Sequence, residues 1–260
     1  MAGVLDSFRL DGKVALVTGA SRGLGAAMAV ALAEAGADLI LVARRMRRDH
    51  AEGQRTAALA GKPVQQIGHG RGRLRLGDDK GAAAALGAEL PFPDILVNNG
   101  GTIKRGSFAD FTQADWDEVM EVNLGSIFRF SQAVVRGWLA QKRRGKIIHT
   151  ASMLSFQGGI RVVSYTAAKS GLAGLTRAMA NELASEGINV NAIAPGYMAT
   201  DNTATLRADP DRNTAILARI PAGDWGKSSD LAGAVVYLAS PASDYVHGHL
   251  LAVDGGWLGR

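Results

Sequence analysis

Lys13-Val14-Ala15-Leu16-Val17-Thr18-Gly19-Ala20-Ser21-Arg22-Gly23-Leu24-Gly25 opens a pattern that repeats along this 260-residue chain. An unbroken apolar, β-branched run passes directly into three glycines, and an Ala/Leu-rich stretch of helical length follows. A strand feeding a glycine turn and then a helix aims the helix's leading N–H groups and positive dipole end at an anion. Glycines at 19, 23 and 25 permit the tight turn and let a pyrophosphate approach the backbone closely. A glycine string alone is a weak signal, since many strand-to-helix turns use glycine structurally. Its place after the first strand of a βαβ unit gives it weight.

The same alternation runs to the end of the chain. Apolar runs occur at Lys13 to Thr18, Asp38 to Ala43, Ile95 to Val97, Lys146 to Thr150, Ile188 to Ala194 and Leu250 to Val253, with a further strand expected near Pro63 to Ile67. Near-continuous apolar runs are what strands covered by helices on both faces look like. Helical periodicity fills Ala26 to Ala35, Met46 to Ala60 more weakly, Lys80 to Leu90, Thr112 to Leu139, Ser164 to Ser185 and Ser229 to Ser240. Thr112-Gln-Ala-Asp115 resembles a capping box. The expectation is a single α/β domain over residues 1–260, a Rossmann-like doubly wound parallel sheet of about seven strands with helices on both faces. Its cofactor half is expected over about 1–150 and its catalytic and substrate half over about 151–260.

Composition removes several classes. There is no cysteine, so disulfides, thiolate metal sites and thiol nucleophiles are excluded. The five histidines, at 50, 69, 149, 247 and 249, show no ligand spacing with carboxylates, and no metal site is expected. No apolar run reaches the length of a membrane span and the N-terminus lacks the features of a secretory signal, which points to the cytoplasm with no membrane partner. The net charge of +5 and pI near 9.7 invite a nucleic-acid reading. Yet Arg44 to Arg75 holds nine basic and two acidic residues, a local +7, so the remaining 228 residues carry −2. Aromatic stacking residues do not accompany this segment, so nucleic acid is not an expected partner.

Part of that segment has a chemical reading. Where the second strand ends, an acidic residue would accept from an adenosine 2′-hydroxyl, whereas arginine accommodates a 2′-phosphate. The strand here runs Val42-Ala43-Arg44-Arg45, and Arg22 in the glycine turn adds another cation. Guanidinium suits bidentate phosphate binding, so NADP(H) is favoured, with NAD(H) possible. Arg47 and Arg48 read more simply as a solvated helix start.

Tyr165 and Lys169 stand four apart on an expected helix and so share a face. An ammonium beside a phenol favours the phenolate and brings its pKa toward the working range. Ser152 follows the Lys146 to Thr150 strand at the carboxyl end where such sheets bind ligands; it is either a hydrogen-bond donor to a carbonyl oxygen or a cap. Asn123, deep in a helical stretch, is either a water anchor or a tolerated polar residue.

Thr18-Gly-x-x-x-Gly-x-Gly25, Asn98-Asn-Gly-Gly101, Asn123, Ser152, Tyr165-x-x-x-Lys169 and Asn191-Ala-Ile-Ala-Pro-Gly196 together resemble the short-chain dehydrogenase/reductase family over essentially the whole chain. The resemblance implies that Tyr165 transfers a proton, Ser152 orients and polarises a carbonyl, Lys169 lowers the tyrosine pKa and holds the nicotinamide ribose, and Asn123 anchors a water in a relay from Lys169. It implies a cofactor site of Gly19, Ser21, Arg22, Gly23, Leu24, Gly25, Arg44, Arg45, Asn99, Gly100, Gly101, Tyr165, Lys169, Pro195, Gly196, Met198 and Thr200. It also implies a homotetramer built through the helices carrying Asn123 and Tyr165 and through the C-terminal segment. There are two departures: the family usually has alanine at Gly100, and the Gly/Arg string Gly68 to Gly77 falls where the third strand normally ends in a small residue and an aspartate.

The stretches Ser152 to Tyr165, Ala194 to Thr203, Ile220 to Gly226 and Val253 to Trp257 resemble the sugar-acid branch of that family. The implied reaction is reversible, NADPH-dependent reduction of a keto group on a deoxy sugar acid, a keto-deoxy-gluconate or an unsaturated-uronate-derived keto acid. Alternatives are NAD-dependent oxidation of a deoxy-gluconate at C3, a 3-oxoacyl-type carbonyl reduction, or a dinucleotide sensor without catalysis. A small acidic sugar needs a cation for its carboxylate, and Lys104, Arg105, Gln157 and Arg161, with Ser152 and Tyr165, are the candidate substrate-binding residues. Arg161 has an interface role as its alternative.

Overall fold

In a computed structural model, residues 3–43, 64–68 and 91–260 are described. Among them, seven strands form one parallel sheet: β1 (Val14–Thr18), β2 (Asp38–Ala43), β3 (Val64–Gly68), β4 (Ile95–Asn98), β5 (Gly145–Thr150), β6 (Ile188–Pro195) and β7 (Leu250–Val253). Their order is β3-β2-β1-β4-β5-β6-β7. The order reverses between β1 and β4, and such a switch point opens a crevice beyond the strands' carboxyl ends.

Alternation of side chains explains why both sheet faces are apolar. Ala15, Val17, Leu39, Leu41, Ile95 and Val97 enter one core with Met28 and Leu32 of α1 (Gly23–Glu34) and with Val235 and Leu238. Leu16, Ile40, Leu96, Ile147 and Val190 point the other way, onto Phe130, Val134 and Trp138. Trp138 is fully buried and donates its indole N–H to the Pro93 carbonyl at 2.7 Å. Each buried Val, Leu, Ile, Phe or Met among them contributes about 1.5–3 kcal/mol, so both faces must stay covered.

The helix expected over Thr112 to Leu139 is in fact two helices. Thr112 accepts from Asp115 N at 3.1 Å and caps α2 (Gln113–Met120); a wider π turn, Glu121–Gly125, then leads into α3 (Ser126–Ala140). A π turn inserts one residue into the helical ladder and rotates the side chains around it. Here it carries Asn123 into the interior. Among the described residues the remaining α-helices are α4 (Val163–Leu183), α5 (Ala204–Ala208), α6 (Pro210–Leu217) and α7 (Ala232–Ala239). Among the described residues no helix is long and apolar enough to cross a membrane. The helices expected at Met46 to Ala60 and Lys80 to Leu90, and the string Gly68 to Gly77 beyond its first residue, lie outside the described residues.

Candidate active site

The glycine turn after β1 is fixed by sterics. Gly19 has φ +66°, and a Cβ there would sit 2.9 Å from both Asn99 Nδ2 and the Gly100 Cα. A Cβ on Gly25 would lie 2.4 Å from the Gly19 carbonyl oxygen and from Asn99 Nδ2. No residue but glycine fits either place without moving backbone. Asn99 Nδ2 donates to the carbonyls of Thr18 and Gly19 at 3.2 and 3.3 Å, while Thr18 Oγ1 accepts from the N–H groups of Asn99 and Gly100, both at 3.0 Å. Thr18 and Asn99 thus lace the ends of β1 and β4 together across the switch point. The side chain of Arg22, which starts α1, caps none of that helix's N–H groups. This cradle fits a dinucleotide pyrophosphate.

At Gly100 a Cβ would make only ordinary contacts, the nearest being Thr18 Oγ1 at 3.5 Å. The departure from alanine therefore reflects no steric demand. Gly101 is different, since a Cβ there would be 2.8 Å from Asn123 Oδ1. Asn123 is fully buried; its Nδ2 donates to the carbonyls of Thr102 and Val119, both at 2.8 Å, and its Oδ1 accepts from Thr102 N at 3.3 Å. The π turn thereby holds the loop after β4. Asn123 keeps one acceptor site on Oδ1.

Beyond β5, Ser152 accepts from Leu154 N at 3.1 Å, as a cap, and its side chain draws the Tyr165 pKa downward. The cap reading of Ser152 is thus realised. Lys169 is 3% exposed, donates from Nζ to the Thr150 carbonyl at 2.5 Å and lies 5.5 Å from the Tyr165 ring centroid. Burial lowers the Lys169 pKa to about 8. Burial also pushes the Tyr165 phenol above its ordinary range, against the opposing pull of the Ser152 hydrogen bond and the Arg105 charge. The lowering of Tyr165 by Lys169 expected from their spacing is thus not what this site shows. The ammonium is turned to a backbone carbonyl over the ring face, and the desolvation of the phenol prevails. A phenol kept protonated is the form that can donate a proton.

The substrate-side cations separate. Arg105 acts electrostatically on Tyr165 and donates from Nη2 to the Asn202 carbonyl at 3.2 Å. Lys104 instead meets Asp115 at 3.2 Å and Glu118 at 3.1 Å, so two carboxylates of α2 share its charge. Arg161 is exposed, with φ +62°, and its carbonyl accepts from Gly106 N at 3.1 Å, joining the loop of Arg105 to the loop of Gln157. Left-handed backbone at a residue with a long side chain is strained, and surroundings must hold it in place.

On the far side, Pro195 ends β6, and a Cβ on Gly196 would be 2.6 Å from the Asp254 Cα. Met198, expected to border the nicotinamide, is 4% exposed and packs into the core of the α1 face, because a short parallel bridge to Gly226 turns its side chain inward. Leu24 likewise packs on that core. Thr200 returns toward the cradle, its methyl 4.0 Å from the position of a Cβ on Gly23. Ser21 lies within the turn, and Arg44 and Arg45 lie outside the described residues.

Sequence reasoning missed a buried knot. Asn98 Nδ2 donates to Ser131 Oγ at 2.9 Å and lies 3.2 Å from His149 Nδ1. Burial drives the His149 pKa down to about 3, so the ring is neutral. A polar residue in each of two apolar strands, Asn98 in β4 and His149 in β5, with Ser131 in α3, was the available signal. Among the described residues no group of three or more His, Asp or Glu side chains could hold a metal ion.

A glycine cradle at a switch point, with a serine, a protonated tyrosine and a buried lysine assembled beside it, defines a dinucleotide-dependent oxidoreductase. The profile of a family described as enoyl-(acyl carrier protein) reductase matches residues 19–258. The 2-dehydro-3-deoxy-D-gluconate 5-dehydrogenase of Escherichia coli (strain K12) is 52% identical over 99% of this chain and 100% of its own length. Its namesake from Bacillus subtilis (strain 168) is 48% identical over 98% of both. A crystal structure from Agrobacterium tumefaciens, provisionally described as a 2-deoxy-D-gluconate 3-dehydrogenase with bound NADP, is 51% identical with a TM-score of 0.85, covering 98% of this chain and 99% of that one. A gluconate 5-dehydrogenase from Burkholderia cenocepacia in complex with NADP and tartrate is 35% identical with a TM-score of 0.88, covering 99% of this chain and all of that one. The chain belongs to the short-chain dehydrogenase/reductase family.

Proposed function

We propose that this protein is an NADPH-dependent reductase of a keto group on a deoxy sugar acid, forming a secondary alcohol reversibly. The observation that carries the reading is the buried Lys169, fixed by the Thr150 carbonyl and set over the Tyr165 ring, beside the glycine cradle. Relatives named for 2-dehydro-3-deoxy-D-gluconate and solved neighbours holding NADP support it.

A bound dihydronicotinamide supplies the hydride. Ser152 hydrogen-bonds the keto oxygen and polarises it, and Tyr165 donates its proton to that oxygen as charge develops. Lys169, fixed by the Thr150 carbonyl, returns the proton to Tyr165, with Asn123 anchoring a water on the path from Lys169 outward. In the oxidative direction Tyr165 accepts the proton. Gly19, Ser21, Gly23, Leu24 and Gly25 hold the pyrophosphate, and Arg22, Arg44 and Arg45 the 2′-phosphate. Asn99, Gly100 and Gly101 line the adenosine side, while Tyr165, Lys169, Pro195, Gly196, Thr200 and the backbone of Met198 face the nicotinamide and its ribose. Residues 1–150 act mainly on the cofactor and 151–260 on the substrate, with Arg105 and Asn123 crossing that division.

Arg105 and Arg161, with Gln157, bind the carboxylate and hydroxyls of the substrate, an intermediate of uronate breakdown. Phe128 and Leu139 stand exposed on α3, which supports a homotetramer through this helix and α4. The absence of an apolar spanning helix among the described residues fits a cytoplasmic enzyme.

The test measures oxidation of NADPH and of NADH on 2-dehydro-3-deoxy-D-gluconate, an unsaturated-uronate-derived keto acid and a neutral ketone. NADPH with one of the acids gives the largest kcat/KM. Arg105→Ala and Arg161→Ala raise KM for the acid far more than for the neutral ketone. Turnover of no keto acid with either cofactor would overturn the reading.

A further inference from the structure

We propose that Asp201 tunes cofactor preference by competing with the cofactor's 2′-phosphate for Arg22. The proposal rests on the NADP reading above. Arg22 Nη1 meets Asp201 Oδ2 at 2.8 Å, across 179 positions of sequence. Ala20 N donates to the Val42 carbonyl at 3.3 Å, so the turn bearing Arg22 lies against the end of β2, where the adenosine 2′ substituent is read. Arg22 is therefore in reach of two anions, one built into the chain and one arriving with the cofactor.

Exposure makes the pair exchangeable. The two side chains are 59% and 74% exposed, and ion pairs of that kind shift an equilibrium by only about two- to fivefold. A phosphate dianion offers more charge and a bidentate face to the guanidinium, and displaces the carboxylate. A 2′-hydroxyl does not. Asp201 therefore holds down the affinity for the phosphorylated cofactor while barely affecting the other, which narrows the preference that Arg22 confers.

A second contact extends the consequence. Asn202, next in the chain, accepts from Arg105 Nη2 at 3.2 Å. The turn Asp201–Thr203 is thus tethered to the cradle through Arg22 and to the substrate side through Arg105. When the 2′-phosphate takes Arg22, one of these two tethers is released, loosening the segment that carries α5 and α6.

The experiment is a dissociation-constant titration of NADPH and NADH at low ionic strength on wild type, Asp201→Asn, Arg22→Ala and the double variant, followed by dihydronicotinamide fluorescence. Asp201→Asn tightens NADPH by about two- to fivefold, NADH shifts less, and the gain disappears in the Arg22→Ala background. An unchanged NADPH constant, an equal shift for both cofactors, or a gain that survives Arg22→Ala would overturn the proposal and leave the cofactor reading standing. NADH binding without NADPH binding in every variant would overturn both. Without cofactor, trypsin cleaves after Arg207, Arg212 and Arg219 faster in Asp201→Asn than in wild type; equal rates would overturn the tether.

Discussion

The glycine turn and the segment from Met198 to Arg219 face each other across the same crevice and are built on opposite principles. In the turn, backbone and side chains meet with no spare volume. Gly25 has no room for a methyl, and Thr18 and Asn99 spend their polar groups on neighbouring backbone. The opposing segment is mostly exposed and held to its surroundings by replaceable contacts, among them Arg22 with Asp201 and Arg105 with the Asn202 carbonyl. A site that must present N–H groups to a phosphate gains from rigidity, since donors fixed before binding need no reordering. A wall that must admit and release substrate gains from weak anchors.

The sharpest way to break this contrast is Gly25→Ala. Helix propensity alone favours alanine by about 1 kcal/mol, but a methyl 2.4 Å from the Gly19 carbonyl oxygen forces β1 and α1 apart. Overpacking of this kind costs about 1–3 kcal/mol, a fall in Tm of roughly 2–12 °C for a chain of this size, and dinucleotide affinity falls at least tenfold. An unchanged Tm and Kd would mean that the cradle is not sterically closed.

Lys169 sharpens the contrast by showing what rigidity costs within the catalytic group. Its pKa, lowered by burial to about 8, means that the fold pays to keep an ammonium at neutral pH. Below about 8 both folded and unfolded chains are protonated and the penalty is complete. Between there and the ordinary lysine value of 10.5 the unfolded chain binds the extra proton, so stability rises with pH across that window. The total is on the order of 3 kcal/mol. Lys169→Met is expected to raise the neutral-pH midpoint of urea unfolding and flatten its rise between pH 8 and 10.5, while abolishing turnover. A variant as pH-dependent as wild type would contradict this.

Gly100→Ala is expected to have the smallest effect. A Cβ there finds only ordinary contacts, so the variant should fold normally and gain about 0.4–1 kcal/mol by restricting the unfolded chain. A loss of stability would show that the loop after β4 is tighter than its distances indicate.

Six apolar runs and a strand near residue 65 were legible in the sequence, because strands buried on both faces leave an uninterrupted signature. The glycine cradle was legible because only glycine satisfies both the turn and the close approach of Asn99. Lys104 was not, since its partners Asp115 and Glu118 meet it only when the loop after β4 folds onto α2. The π turn at Asn123 left no periodic trace, because one inserted residue shifts helical phase without breaking the apolar pattern. Met198 stands beside Pro195 and Gly196 in sequence, and only the bridge to Gly226 reveals that its side chain turns into the core. The direction of the Tyr165 shift was misread because a four-residue spacing reports nearness to Lys169 but carries no information on burial.

The central claim is that Tyr165 delivers the proton. Its most direct test is NADPH-dependent turnover of 2-dehydro-3-deoxy-D-gluconate by Tyr165→Phe, with NADPH binding and circular dichroism measured on the same preparation. The account predicts that kcat falls by about 10²–10⁴ while cofactor affinity and fold are retained. Turnover by Tyr165→Phe within a few fold of wild type would contradict it.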